Sequence, residues 1–563
     1  MSFYEQLSYD TIFGEIPPGT FPNKTKTLEM FKNDFVKFVD LVDNELGMEE
    51  FTKLSIQSIL PIHPAGKSNE VSDEFRATAN NNFKRMGISS LMEYSAVLND
   101  YTQALFFAED DNRRAMICGN KSAVFVMCGE KERALANIKL AREYYKPKGK
   151  SDEFLEKLAK REEKCRKLPG NIQKAPVPLA LTTKDPNPNI PDICIDIKVK
   201  TDGKGVFAKK QLKFGDVIAT THPLGSENLG TNKANTITCE NCHCDVSYFM
   251  VPCHQCSGAV FCGQKCRVEG MDGFHGAICK AVLYFRPINA IEGRIALNII
   301  FKALKSKVDL KRLLYQPSTS VELQNDSMEE KLRVFLGVKC PEMKHEDIYM
   351  CAINTAFMRN FLKAPSTFRN MVRSYENGSN LVQELYKRLY SVIKYRFLKF
   401  SSTKEVDYLF GLFRHNCKPN VIIERGPSDG IFYIAINDIK EGDELNVAMG
   451  NYSYESHNRQ NRKKALYNKF VFTCDCKACK RNLTYHEQPP LFVDNEDMEL
   501  SLLDKLKQYC RKEIADLTKA DKFVQCMKML REATVGKESY RKQIFDLFWT
   551  FFACNLDVDL PFK

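Results

Sequence analysis

The sequence predicts an α+β multidomain chain: a β-rich domain split by a cysteine-rich finger, with helical repeats before it and a helical domain after it. Three observations predict this. Eight of the 21 cysteines fall within residues 239–279. Apolar spacing changes from helical to alternating across a proline-rich stretch at 169–192, and returns to helical after residue 495. Short β-like runs stand on both sides of the cysteine cluster.

Length and composition bound the alternatives. At 563 residues and 64.6 kDa there is room for about three to five domains. Apolar residues at 44% and charged residues at 27% exclude a wholly disordered, collagen-like or coiled-coil chain. Mean hydropathy is −0.36. The richest apolar stretch, Phe545 to Cys554, is short and contains Asp546, so no membrane span is expected. The opening MSFYEQLSYD lacks the basic and apolar regions of a signal peptide, which places the expected location in the cytoplasm, the nucleus or both. The net charge of +11 is a mild excess for this size. It reads as solvated lysines, and nucleic acid is not expected as a partner.

Along the chain, residues 1–70 form an N-terminal helical segment of no evident function, with an amphipathic helix from Thr27 to Glu45 (Phe31, Phe35, Phe38, Val42). Residues 71–168 read as paired helices. Small residues such as Ala104, Ala115, Cys118 and Ala134 fall where helices would cross, and Gly129 falls at a turn, as in tetratricopeptide repeats. A helix over Asp152–Lys167 would cap them. Two degenerate repeats are fewer than such arrays need alone, so they should lean on another domain. Residues 169–192 form a linker in which Pro169, Pro176, Pro178, Pro186, Pro188 and Pro191 forbid regular helix. In 193–238, Ile193, Ile195, Ile197 and Val199 alternate with polar residues as one half-buried strand. Gly203-Lys204-Gly205 then turns the chain into Val206-Phe207-Ala208. The 280–473 segment is mostly helical to residue 400, then β-like at Gly430–Ile436 and Glu444–Ala448. In the helical 483–563, Trp549 lies in an apolar stripe read as core.

The cysteine cluster reads Cys239-x2-Cys242, Cys253-x2-Cys256, Cys262-x3-Cys266 and His275-x3-Cys279. In a chain without a secretion signal, clustered cysteines point to zinc rather than disulfides. Eight nitrogen and sulfur ligands suffice for two tetrahedral ions, with Cys244, His243 and His254 left over. Four filled positions leave no place for water or substrate, so these ions would be structural. A second group, Cys474-x-Cys476-x2-Cys479, lacks a fourth ligand. Cys417, in Arg414-His415-Asn416-Cys417-Lys418-Pro419-Asn420, is a candidate far away in sequence.

The cluster at 239–279 resembles a MYND finger. Together with the 414–420 segment, Glu441-Gly442-Asp443-Glu444-Leu445-Asn446 and the cysteines of 474–482, the chain resembles the SET and MYND family of protein-lysine methyltransferases, most closely its TPR-bearing subfamily. The resemblance implies a β-rich SET domain split by the MYND finger, flanked by N-terminal TPR-like helices and a C-terminal helical domain. It implies cross-braced zinc pairing: Cys239, Cys242, Cys262 and Cys266 on one ion, and Cys253, Cys256, His275 and Cys279 on another. It places Cys417 with Cys474, Cys476 and Cys479 on a third ion in the post-SET loop, about three zincs in all. It implies S-adenosyl-L-methionine as cofactor, held by Asp202, Gly203, Lys204 and Gly205, by Arg414 and His415, and by Phe470, Val471 and Phe472. A protein substrate or binding partner is implied, and a proline-rich peptide at the finger, where the family's Trp before the histidine is missing.

Three positions depart from the family pattern. Arg414 replaces an asparagine, Met449 replaces the catalytic tyrosine, and Phe470 replaces a second tyrosine. Methyl transfer needs a neutral lysine amine, whose ordinary pKa is near ~10.4, held in line with the methyl group by oriented oxygens. Loss of one oriented donor costs about 10²–10³ in rate. The expected function is S-adenosylmethionine-dependent protein-lysine N-methylation of a histone or non-histone protein. The alternative is a catalytically inactive scaffold acting through protein–protein interactions.

Overall fold

In the computed structural model the described residues are 24–46, 67–85, 94–146, 153–168, 181, 183–194, 196–199, 205–228, 239–242, 251–256, 259–279, 291–315, 325–361, 367–399, 403–425, 430–452, 458–482, 505–506, 508, 519–533 and 545. In chain order come α1 (Lys24–Asn33), α2 (Phe35–Leu46), α3 (Asn69–Arg85), α4 (Ser95–Phe107), α5 (Asp111–Met127), α6 (Lys131–Tyr144) and α7 (Glu153–Lys167). Strands β1 (Pro186–Asn187), β2 (Ile190–Cys194), β3 (Ile197–Val199), β4 (Val206–Ala208), β5 (Val217–Thr221) and β6 (Gly225–Asn228) follow. The finger holds β7 (Val251–Pro252), β8 (Val260–Phe261), α8 (Gln264–Asp272) and α9 (Phe274–Ile278). Next are α10 (Ile291–Lys305), α11 (Leu310–Tyr315), α12 (Met328–Gly337), α13 (His345–Phe361), α14 (Thr367–Arg373) and α15 (Gly378–Tyr395). The chain then runs through β9 (Leu398–Lys399), β10 (Thr403–Val406), β11 (Arg414–His415), β12 (Val421–Arg425), β13 (Ile431–Ala435), β14 (Glu444–Val447), α16 (Arg459–Phe470), α17 (Lys477–Lys480) and α18 (Lys519–Ala533).

Two compact units divide these elements: residues 1–173, 228–290 and 352–371 form one, and 174–227, 291–351 and 372–563 the other. In the first unit, the amphipathic segment expected as one helix is two, α1 and α2, separated at Asp34. Phe31, Phe35, Phe38, Val39 and Val42 are buried as the apolar spacing requires. Asp40 and Asp43 of α2 both pair with Arg359. Next, α3 packs on α4 and α5 on α6, with α7 against both α5 and α6. Asp110 caps α5, its carboxylate accepting the Arg113 N–H at 2.8 Å. Gly129, at φ +74°, makes the turn into α6. At Gly119 a Cβ would stand 3.0 Å from the Phe154 ring, so glycine is what lets α7 close on α5. These helices and the finger share one apolar core. Tyr101, Ala115, Cys118, Ile138 and Leu158 are continuous with Val251, Val260 and Phe261, which gives the two hairpins the extra packing surface they need.

The second unit carries three sheets. Strand orders are β1-β2-β5-β13-β12, β6-β10-β9 and β11-β14-β4-β3. The alternation from Ile193 to Val199 is not one strand but two. Ile193 of β2 pairs with Ala219 of β5, whereas β3 pairs with β4 in another sheet. The chain changes sheet next to Asp196, whose carbonyl accepts the Lys209 N–H at 2.7 Å. The stretch expected as linker up to residue 192 already belongs to the sheet through β1 and β2. Both strands are extended, as proline permits at a sheet edge. Beneath β5 and β13 lies Asp407, fully buried, accepting from the Thr221 hydroxyl and from the N–H groups of Leu409 (2.6 Å) and Phe410 (3.1 Å). Burial pushes its carboxyl above the usual range, and these donors oppose that push. On the other side of the unit, α10, α11 and α12 pack on α15. Phe523, Cys526, Met527 and Leu530 of α18 join Phe214, Val217, Phe432 and Ile434 in one core, with Phe545. Trp549 lies outside the described residues.

Candidate functional site

Three groups of thiols and one imidazole converge. The ligand atoms of Cys239, Cys242, Cys262 and Cys266 lie within 4.8 Å of one another. So do those of Cys253, Cys256, His275 and Cys279, and those of Cys417, Cys474, Cys476 and Cys479. Sulfur separations are 3.7 Å for Cys242–Cys262, 3.6 Å for Cys253–Cys279 and 3.6 Å for Cys417–Cys479. A tetrahedron with metal–sulfur bonds of about 2.3 Å has edges of about 3.8 Å, whereas a disulfide would need about 2.05 Å. The spacings therefore fit one shared ion in each group. His275 Nε2 stands 3.4 Å from Cys253 Sγ and 3.8 Å from Cys256 Sγ, and its Nδ1 faces Glu240 at 3.8 Å. That is the arrangement in which a carboxylate orients a ligand histidine. Crowded thiols share protons: hydrogen bonds from their neighbours pull Cys253 and Cys476 down, and the same contacts push Cys279 and Cys417 up. A dication would displace those protons. Fully buried Arg462 places Nη2 4.0 Å from Cys479 Sγ, a cation facing the third thiolate group.

In the finger, β7 and β8 hold the first ligands in place, and α8 and α9 carry the others. The leftover His254 packs on Tyr144 of α6 with ring centroids 5.8 Å apart, which makes it a packing residue between finger and helices. Cys244 and His243 lie outside the described residues.

Of the segments expected to hold the cofactor, Gly205, Arg414 and His415 come together at the sheet β11-β14-β4-β3. Asp202, Gly203 and Lys204 lie outside the described residues. Gly205, at φ +107°, opens β4, and a Cβ there would stand 2.4 Å from the Glu444 carboxylate. Strand β4 pairs with β14, and β14 pairs in parallel with β11 through Arg414↔Asn446 and His415↔Val447. Arg414 is half-exposed and its Nε lies 3.3 Å from Glu444. Its charge is thus drawn to a carboxylate. His415 is largely buried. Its Nδ1 accepts the Met449 N–H at 3.0 Å, Nε2 faces Cys417 Sγ at 3.3 Å, and its ring lies 5.6 Å from Phe472. Burial holds its pKa down to about 4, so it is a neutral ring with its proton on Nε2.

Met449 is buried, with Sδ 3.9 Å from Arg396 Nη1. Phe470 is buried and stacks on Phe397 at 5.9 Å, and Lys404 Nζ lies 3.9 Å from the Phe397 centroid while pairing with Glu292 at 2.6 Å. A Cβ on Gly450, at φ +63°, would meet the rings of both Tyr452 (2.8 Å) and Phe470 (3.1 Å). Tyr452 therefore stands beside the two substituted positions; Tyr454 lies outside the described residues. Val471 ends α16 at φ +55°, which turns Phe470 and Phe472 to different neighbours. Sequence reasoning missed Asn420. Its Nδ2 donates to the Glu444 carbonyl at 2.9 Å and its Oδ1 accepts the Asn446 N–H at 2.8 Å, locking the 414–420 segment onto β14. It also missed Arg396, Phe397 and Lys404, which belong to no motif and reach the site only through the fold.

Residues 203–450 match the family model for the SET domain. The chain is 26% identical over 265 residues to Protein-lysine N-methyltransferase SMYD4 of Danio rerio, a match covering 43% of this chain and 34% of that protein. It is 23% identical over 348 residues to Histone-lysine N-methyltransferase SET5 of Candida albicans, covering 54% of this chain and 67% of that protein. Against Histone-lysine N-methyltransferase SMYD3 of Homo sapiens it is 22% identical over 313 residues, covering 54% and 65%. The matches thus span about a third of the first relative and about two thirds of the other two.

Proposed function

We propose that this chain, a member of the SET and MYND family with a SET domain over 203–450, is an S-adenosyl-L-methionine-dependent protein-lysine N-methyltransferase. The observation that carries the reading is the convergence of Gly205, Arg414 and His415 at one four-stranded sheet, with Met449 bonded to His415 and the whole pinned to the thiolate group of Cys417. When bound, the cofactor supplies an activated methyl group on a sulfonium. The residues present fit it. Glu444 offsets the guanidinium that would otherwise repel that sulfonium, and His415 is held neutral with a fixed ring orientation. Buried Met449 and Phe470, with half-buried Phe397 stacked on the latter, would exclude water from the acceptor amine, which favours its neutral form. Positioning oxygens would then come from backbone carbonyls and from Tyr452 rather than from positions 449 and 470.

The three ligand groups would each hold a structural zinc, the first two in a MYND finger and the third in a post-SET loop. The helices of 71–168 would act as TPR-like repeats for protein binding, with the finger offering a proline-rich peptide site. Cytoplasm and nucleus are the proposed locations. Buried Met449 favours a second reading, a cofactor-binding scaffold without transfer. Calorimetric titration with S-adenosylmethionine, followed by label transfer to peptide arrays, separates the readings. Binding with transfer to lysine supports the enzyme, binding without transfer supports the scaffold, and no binding at about 1 mM, a Kd beyond ordinary substrate levels, overturns both.

A further inference from the structure

The chain's positive excess is concentrated. Residues 459–482 hold eight lysines and arginines against one acid, Asp475, a net +7 of the chain's +11. This segment lies beyond the residues matched to the SET family. On α16, Arg462, Leu466 and Phe470 recur every four residues and are buried, whereas Lys464, Tyr467 and Lys469 are exposed and Lys463 is half-buried beside them. Lys477 and Arg481 are exposed just after it. Lys480 pairs with Asp475 at 3.3 Å, with both side chains exposed. Lys418, next in the chain to Cys417, is exposed as well, and Cys417 Sγ lies 3.6 Å from Cys479 Sγ.

We propose that this face binds the phosphate backbone of a single-stranded nucleic acid without sequence preference. Closely spaced cations with few acids between them are the electrostatic footprint of a polyphosphate. Tyr467, 59% exposed, stands among them as a platform on which a base can stack. The apolar residues of α16 point inward, so the face has no apolar stripe to enter a lipid headgroup region and no apolar centre for a protein interface. The inference is independent of methyl transfer.

The test is fluorescence anisotropy of the full chain with a labelled mixed-sequence single strand of about 20 nucleotides, at about 50 and about 200 mM salt. Micromolar binding at the lower salt is expected, weakening with a log–log slope of about −0.7 per phosphate contact. Lys463→Glu/Lys464→Glu/Lys477→Glu should weaken it at least about tenfold, while Lys139→Glu/Lys160→Glu/Lys164→Glu, the same charge change on exposed helix positions elsewhere, changes it less than about twofold. Tyr467→Ala should weaken the single strand about fivefold or more and leave a duplex unchanged. Metal content and circular dichroism verify folding, and lysine-to-glutamine versions repeat the test should the glutamate set fail to fold. Equal loss in both charge-reversal sets, no binding at about 100 μM, or tighter binding of polyglutamate or phosphatidylserine vesicles than of the strand would each overturn the proposal.

Discussion

Position 449 holds a buried thioether where the family resemblance places a tyrosine, and the Arg396 guanidinium stands 3.9 Å from its sulfur. A thioether is a weak acceptor and offers no donor to orient an amine. Met449→Tyr combined with Phe470→Tyr is expected to raise label transfer by about 10²-fold, the value of one regained oriented donor. An unchanged rate in a folded double variant would show that these positions do not face the acceptor. A second residue-scale prediction concerns Lys121, fully buried in the helical core with one hydrogen bond, to Thr102 Oγ1 at 3.3 Å. Burial lowers its pKa from 10.5 to about 8. Between those values the unfolded chain binds more protons than the folded one, so stability should rise with pH, by at most about 1.4 kcal/mol per unit. Lys67, likewise lowered by burial to about 8, adds to the rise, and the neighbouring Cys118 thiol, pushed by burial from 9.0 up to about 12, opposes it above pH 9, so pH 8 to 9 is the window to measure. Denaturant midpoints at pH 8 and 9 measure this. Lys121→Met should flatten the rise and add about 1–3 kcal/mol of stability; a variant that keeps the wild-type slope would assign it to another group.

At the scale of elements, much was legible where pattern and packing agree. The helical spacing of Phe31 to Val42 marks one buried face, and Gly129 marks its turn because a left-handed residue is needed there. What could not be read is how strands pair. Ile193 and Ile197 share an alternation yet enter different sheets, since a two-residue period is equally satisfied on either side of a chain reversal. Strands β5 and β12 were missed altogether: β12 is short and mixed in burial, and β5 is apolar on both faces. The contact of α5 with α7 is testable. Gly119→Leu must displace Phe154 and should cost about 1–3 kcal/mol in a thermal or denaturant midpoint. A variant as stable as the wild type would mean that Phe154 swings aside freely.

For the molecule as a whole, the cysteine spacings were the most legible feature because a metal site demands fixed ligand numbers over short segments. Long-range parts were less so. Asn420 holds two distant segments together through two hydrogen bonds, and although it ends the 414–420 segment, the spacing alone does not show which strand it binds. Spacing is equally silent on Arg396 and Lys404, whose place beside Met449 and Phe397 follows only from the way α15, β9 and β10 return to the sheet. Sharing one ion among Cys417, Cys474, Cys476 and Cys479 would tie residues 474–479 to the 414–420 segment and, through the contact of Cys417 with His415, to the proposed cofactor site.

The measurement that reaches this claim most directly is metal content by elemental analysis, on the full chain and on Cys417→Ser. The wild type should carry three zincs, one for each ligand group, and the variant two, with S-adenosylmethionine binding weakened alongside. A wild type that holds no metal and folds identically in the presence of chelators would contradict it.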